Sequence, residues 1–182
     1  MIEVVDNFLP LDVWHSLYRK LLMTDKGNPH TMVDDGIKWN YNPTISVNGD
    51  GSSSTGYFLH NLIFDSYKSE MFDTIAKPVE SALNLDHYKT LHRAKVNLYP
   101  RTRKVEPHGF HVDLIDDKGD TLDHVNCVYY VNSNDGYTEF EDGSRVASVE
   151  NRIVIFDGHF KHRSTSCTNE PCRISINMNM LP

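Results

Sequence analysis

The sequence predicts an α+β fold: a jelly-roll core (a double-stranded β-helix) with N-terminal helices packed on one of its sheets. Three observations predict it. Apolar residues recur at helical spacing in two stretches of the first half. From residue 91 the chain breaks into short β-type runs separated by turn signals. Several of those runs carry one apolar face and one polar or mixed face. Short strands at such spacing suit a sandwich, a barrel or, here, a jelly roll.

In chain order, Asp12 is placed to cap a helix running to about Met23, with Val13, Leu17, Leu21 and Leu22 on one face. The stretch WNYNPTISVNGDGSSSTGYF is read as strands around a Gly/Ser/Asn-rich segment at 48–56. That segment is either a surface loop or a lid over a site. A second helix is expected from Ser66 to Leu83, with Met71, Ile75 and Val79 at helical spacing and Pro78 inside it as a source of a kink. Strands follow at RAKVNLY, HVDL, HVNCVYYVN, YTEF, RVASV, RIVIF and RISINMNM, punctuated by DDKGD, NSNDG, EDG and DG. No internal repeat, low-complexity tail or linker interrupts them. Residues 1–182 are therefore expected to form one domain, with 1–90 as helical support and substrate-side strands and 91–182 as the jelly-roll core.

At 182 residues the chain is long enough to bury a full core without metal or disulfide staples. Its hydrophobic content of 39 % and charged content of 24 % read as globular, and no apolar run approaches a membrane span. MIEVVDNFLP lacks the basic start of a signal peptide, and three cysteines (Cys127, Cys167, Cys172) form no zinc-finger spacing. A cytoplasmic protein is expected. The net charge of −7 argues against a protein whose main task is gripping phosphates. Arg101, Arg103 and Lys104 make the only basic cluster, so nucleic acid is disfavoured as a partner.

The last strand alternates strictly, with Ile174, Ile176, Met178 and Met180 against Arg173, Ser175, Asn177 and Asn179. RAKVNLY opposes Ala94, Val96 and Leu98 to Lys95, Asn97 and Tyr99, and Asn126, Val128 and Tyr130 share a face. The polar faces either meet solvent or line a pocket inside a roll; the alternation does not choose.

HGFHVDL carries the chemistry. With ten His and seventeen Asp in the chain, roughly one His-x-Asp is expected by chance, so the motif decides nothing alone. On a strand, however, His111 and Asp113 point to one face and can share an ion. A third ligand must come from elsewhere, and His159 and His162 follow the strand RIVIF. Two His and one carboxylate leave three octahedral positions open, the arrangement of non-heme Fe(II) oxygenases.

Here the sequence resembles a known family. Residues 96–178 are similar to the 2-oxoglutarate/Fe(II)-dependent dioxygenase superfamily, in its prolyl-4-hydroxylase-like branch, and to small phage and bacterial members in particular. YPRTRKVEPHGFHVDL resembles the branch's Tyr-Pro, loop and His-x-Asp, CVYYVN its "IYYLN" strand, and YTEF the small strand after it. NRIVIFDGHFKHRS resembles the approach to the second histidine, RIS the Arg-x-Ser motif, and IEVVDNFLP the usual opening of such domains. The spacing is in the expected order: a His 49 positions beyond Asp113, then Arg173 eleven further on.

The resemblance implies that His111, Asp113 and His162 bind Fe(II). His162 is preferred to His159 because it stands closer to Arg173 and because HRS matches the motif better; His159 is then a loop residue. Arg173 would hold the distal carboxylate of the co-substrate 2-oxoglutarate in a bidentate pair, with Ser175 and Tyr130 adding hydrogen bonds and Tyr99 beside the co-substrate. His108 is a candidate to support the metal or face the substrate. The implied reaction hydroxylates an organic substrate with O2 and releases succinate and CO2, ascorbate serving as an accessory reductant. Asp113 favours hydroxylation over halogenation, which in relatives goes with a small residue there. The first expectation for the substrate is a prolyl residue in a peptide or protein, then a small metabolite, with a nucleobase last; its lining is expected from residues 38–60 and 102–124. Two alternatives stand beside this reading: a cupin-like metal enzyme that does not use 2-oxoglutarate, and a catalytically silent β-roll that binds a partner.

Overall fold

The computed structural model describes residues 2–22, 37–43, 56–85 and 87–182. The segment 48–56 lies outside them except for Gly56. Eleven strands and two helices follow in order: β1 (Ile2–Val5), α1 (Leu11–Leu22), β2 (Asn40–Asn42), β3 (Tyr57–Phe64), β4 (Tyr67–Lys68), α2 (Phe72–Ala82), β5 (Thr90–Pro100), β6 (Val125–Tyr130), β7 (Tyr137–Phe140), β8 (Arg145–Ala147), β9 (Arg152–Asp157), β10 (His162–Ser164) and β11 (Cys172–Leu181). They make a large antiparallel sheet in the order β1-β9-β6-β11-β5-β3-β2, with β4 on β3, and a small sheet β10-β7-β8. The expected jelly-roll core is present.

The large sheet has two unlike faces, as strand alternation requires. Its outer face is apolar: Ala94, Val96, Cys127, Tyr129, Ile153, Ile174, Ile176 and Met178 are buried against Leu17 and Leu21 of α1 and Phe72, Ile75 and Val79 of α2. Each such side chain stabilises the fold by roughly 1.5–3 kcal/mol on burial. Most of the polar face is shielded from water, although Arg93, Lys95 and Asn177 stay half-buried. Asn97, Asn126, Arg173, Ser175 and Asn179 are each only 1 % exposed, so the polar faces line the inside of the roll. A smaller apolar cluster of Val128, Tyr130, Phe140, Val146, Val154 and Phe156 fills one end between the sheets.

Two expected elements are corrected. The second helix begins at Phe72, not Ser66, because Tyr67 and Lys68 fold back to pair with Phe64 and Ile63. Asp65 takes a positive φ of 52° in that tight turn, and Ser69 then starts the helix by accepting from the backbone N–H groups of Met71 and Phe72. HVDL is not a strand: His111 makes a lone bridge to His162. Continuing the pairing would set residues 112–113 against 160–161, but Phe160 is already folded onto Asp157 in the turn after β9. Residues 114–122 pair among themselves instead, through Leu122 N–H to Leu114 O and the Ile115–Thr121 bridge. Among the described residues, no helix is long and apolar enough to cross a membrane.

Candidate metal centre

His111, Asp113 and His162 come together at the mouth of the roll, each with a ligand atom within 4.8 Å of the others. Two backbone features bring them there. His111 and His162 exchange reciprocal N–H···O bonds of 3.0 Å, and the bend after His111 turns Asp113 inward. The Nε2 atoms of both histidines lie 3.8 Å from the Asp113 carboxylate, one on each oxygen. Ligand atoms about 2.1 Å from one ion lie up to about 4.2 Å apart, so the spacing suits a single ion.

The protonation states suit it as well. Nδ1 of His111 faces the Gly109 carbonyl at 3.1 Å and Nδ1 of His162 faces that of Phe160 at 3.2 Å. With the proton on Nδ1, each Nε2 lone pair is free and aimed inward. Burial pulls His162 down to about 4, so its imidazole is neutral near pH 7. Burial pushes the Asp113 carboxyl upward, but Arg93, His162 and His111 outweigh it and hold the group well below the usual carboxylate range. Arg93 does so directly, through a 2.8 Å ion pair, and also donates to Asn179 at 2.7 Å. Asn179 in turn donates to the other Asp113 oxygen at 3.1 Å and to Asn126.

Farther along the roll lies Arg173, fully enclosed. Its Nε has no partner, Nη1 and Nη2 lie 3.4 Å from Thr165 O and 3.5 Å from Thr138 Oγ1, and the Tyr99 and Tyr130 hydroxyls also come within reach of the guanidinium. No carboxylate among the described residues pairs with it. Tyr99 and Tyr130 flank the guanidinium, with ring centres 5.3 and 5.4 Å away. The Tyr130 hydroxyl donates to Thr138 Oγ1 at 2.8 Å. His111, His162, Arg173, Tyr99 and Ser175 all line one cavity. A buried cation without a counterion is costly, so this lining suits an anionic ligand.

The remaining expected residues sort clearly. Ser175 lines the cavity, with its hydroxyl donating to Asn177 at 3.0 Å. His159 is exposed and bonds to Asp157 at 2.9 Å, away from the cluster. His108 is buried, hydrogen-bonded to Ser164 Oγ at 2.8 Å and packed on Tyr99. Sequence reasoning missed Arg93, Asn179 and Asn126 as supports of Asp113. The signal for Arg93 was available: it shares the parity of Lys95, Asn97 and Tyr99 on β5.

No family model and no curated protein matches the sequence. Solved structures do match in shape. A prolyl hydroxylase from Trichoplax adhaerens, in complex with a hypoxia-inducible-factor oxygen-degradation-domain peptide, has a TM-score of 0.65 at 15 % identity, covering 99 % of this chain and 83 % of its own. A Pseudomonas putida prolyl-4-hydroxylase has a TM-score of 0.63 at 18 % identity, covering 99 % and 91 %. The viral collagen prolyl hydroxylase of Paramecium Bursaria Chlorella virus-1, as its 2OG complex, has a TM-score of 0.60 at 15 % identity, covering 98 % and 94 %. A two-His, one-carboxylate cluster at the mouth of a roll of this shape leads to one conclusion: the chain has the fold of the prolyl hydroxylases and of the wider 2OG-Fe(II) oxygenases.

Proposed function

We propose that the protein is a non-heme Fe(II), 2-oxoglutarate-dependent hydroxylase, with residues 1–182 acting as one oxygenase domain. The observation that carries this reading is Arg173: a buried guanidinium with no anionic partner, lining the same cavity as a two-His, one-carboxylate cluster. A cupin-like enzyme without 2-oxoglutarate has no use for such a group. A silent binding roll has no use for either feature.

His111 and His162 would supply neutral Nε2 donors and Asp113 an ionised carboxylate, which suits Fe(II) and leaves three positions free. When bound together, iron and 2-oxoglutarate supply dioxygen activation and oxidative decarboxylation to succinate and CO2, with ascorbate as the accessory reductant. The protein's own work is positioning. Arg93 and Asn179 fix the Asp113 carboxylate from both sides. Arg173 takes the distal carboxylate of the co-substrate in a forked, charge-assisted pair, stronger than a neutral hydrogen bond. Tyr99 and Tyr130 wall the guanidinium from water, and Ser175 lies one inward position along β11 to add a donor. No side chain has to act as a general base.

The substrate we propose is a prolyl residue of a peptide or protein. A depression lined by Tyr41, Phe58, Pro100 and His108 shares Tyr99 with the inner cavity and offers ring faces to an apolar five-membered ring. The Trichoplax adhaerens prolyl hydroxylase, similar in fold, is itself in complex with a peptide. A cytoplasmic location accords with three free cysteines.

Anaerobic addition of Fe(II) and 2-oxoglutarate to the metal-free protein should produce the weak visible charge-transfer band of the chelate. The band should vanish in His111→Ala and weaken in Arg173→Ala. Iron binding without a band in the wild type removes this reading. Succinate release with a proline-containing peptide that gains one oxygen by mass then tests the substrate.

A further inference from the structure

The inner cavity holds a second cation to which this reading gives no task. Lys95 lies on β5, opposite Asn177 of β11 and Asn61 of β3. Its side chain lines the same cavity as His111, His162 and Arg173. Among the described residues it donates to no acceptor and pairs with no carboxylate. Asp113, whose charge it feels, is already held by Arg93. Burial draws the Lys95 amine down to about 8, with Arg93 adding repulsion. Lys95 is itself only half-buried, and among the described residues its ammonium has no counterion of its own.

Strand register says which end of the cavity Lys95 serves. The inward rungs run Arg93–Asn179, Lys95–Asn177, Asn97–Ser175 and Tyr99–Arg173. The first rung holds Asp113, so Lys95 stands next to the metal ligands. Arg173 stands two inward rungs farther along, about 14 Å between backbones at about 3.4 Å per residue. Two long cationic side chains thus line one cavity from rungs four residues apart along β5. The outer depression, where a substrate would enter, does not include Lys95 among its lining residues.

Resting on the function proposed above, we propose that Lys95 is a second positioning residue for the co-substrate: it receives the carboxylate beside the metal while Arg173 receives the distal one. The cavity is then a double clamp for a five-carbon 2-oxo diacid. The Lys95 ammonium donates to the carboxylate oxygens without taking part in bond making, and each cation gains the counterion that the fold withholds.

The test compares Lys95→Met with Arg173→Met in the anaerobic Fe(II) protein, following the charge-transfer band. Two ligands are titrated: 2-oxoglutarate, and 2-oxopentanoate, which keeps the 2-oxo acid head but lacks the distal carboxylate. Lys95→Met should weaken both by a similar factor, roughly 10- to 100-fold for a lost charged hydrogen bond. Arg173→Met should weaken 2-oxoglutarate alone. The metal-free Lys95→Met protein should melt no lower than wild type, since among the described residues Lys95 makes no hydrogen bond or ion pair that the change removes, and a purely structural lysine would not show that combination. Wild-type affinity for both ligands in Lys95→Met overturns the proposal, as does a loss confined to 2-oxoglutarate, which would assign Lys95 to the distal carboxylate. If Lys95→Met does not fold, Lys95→Gln is titrated against the same criteria. A wild-type protein that shows no band with 2-oxoglutarate fails the functional reading itself, before any variant is compared, and this proposal with it.

Discussion

His108 is a neutral imidazole held in a cationic neighbourhood. Burial, then Arg173, His111 and Arg163, bring it down to about 3, against an ordinary value near 6.5. On acidification the unfolded chain therefore takes up this proton first. The stability it preserves is complete above about pH 6.5 and is lost as the pH falls toward 3. Between pH 7.5 and 5 the loss from His108 should be about 2 kcal/mol. Denaturant midpoints of the metal-free protein should fall over that interval, and fall less in His108→Gln; equal slopes in the two proteins would refute the assignment. At this scale the sequence was partly legible. The ligands stood out because His-x-Asp, a distant His and an Arg came in a recognisable order. Arg93 did not stand out, because a charged residue at the start of a strand reads as a solvated end. Its parity with Lys95, Asn97 and Tyr99 was there to read, and the ion pair with Asp113 shows that it points inward.

At the scale of elements, much of the N-terminal attachment runs through one residue. Asn151, in the turn between β8 and β9, has φ 56° and a buried side chain. Its amide donates to Leu9 O and accepts from Leu9 N–H and from the Tyr129 hydroxyl, each at 2.9 Å. Its own backbone accepts from Phe8 N–H at 2.9 Å. The lead-in to α1 is thereby fastened to the large sheet. Asn151→Ala should cost about 2–4 kcal/mol, adding strain at a positive φ to the lost hydrogen bonds. Asn151→Gly relieves the strain yet still leaves Leu9 unpaired, so urea melts should place it well below wild type; full recovery would show that conformation alone matters. None of this was legible beforehand, because an Asn in a polar turn looks the same whether its amide faces water or a neighbouring strand. HVDL was misread for a related reason. Its pattern is strand-like, but whether a partner strand extends far enough to pair with it depends on a turn some fifty residues away.

For the whole molecule, the short strands and turn signals from residue 91 pointed to the jelly roll, while the alternation of β5, β6 and β11 left the direction of their polar faces open. The direction of the polar faces was decided by what the helices cover. With α1 and α2 on the apolar face, the other face meets, among the described residues, the small sheet and its loops. The metal cluster then draws ligands from the bend after β5 and from β10, with support from β5 and β11. An ion there should stabilise the fold as a unit. At a hundredfold excess over its dissociation constant, Fe(II) should add about 2.7 kcal/mol. Anaerobic thermal scans should show a rise of about 5–10 °C for a chain of this size. His111→Ala should show none; an equal rise in that variant would place the ion elsewhere.

Reciprocal backbone bonds tie His111 to His162, and both imidazoles turn their free nitrogens inward. Two imidazole nitrogens and a carboxylate exercise little choice over their guest. Divalent copper, nickel and zinc all outrank iron for nitrogen and oxygen donors. On the function proposed above, the metal held here would be governed by the supply of ions around the protein more than by discrimination at the site, and its activity would follow the iron available locally.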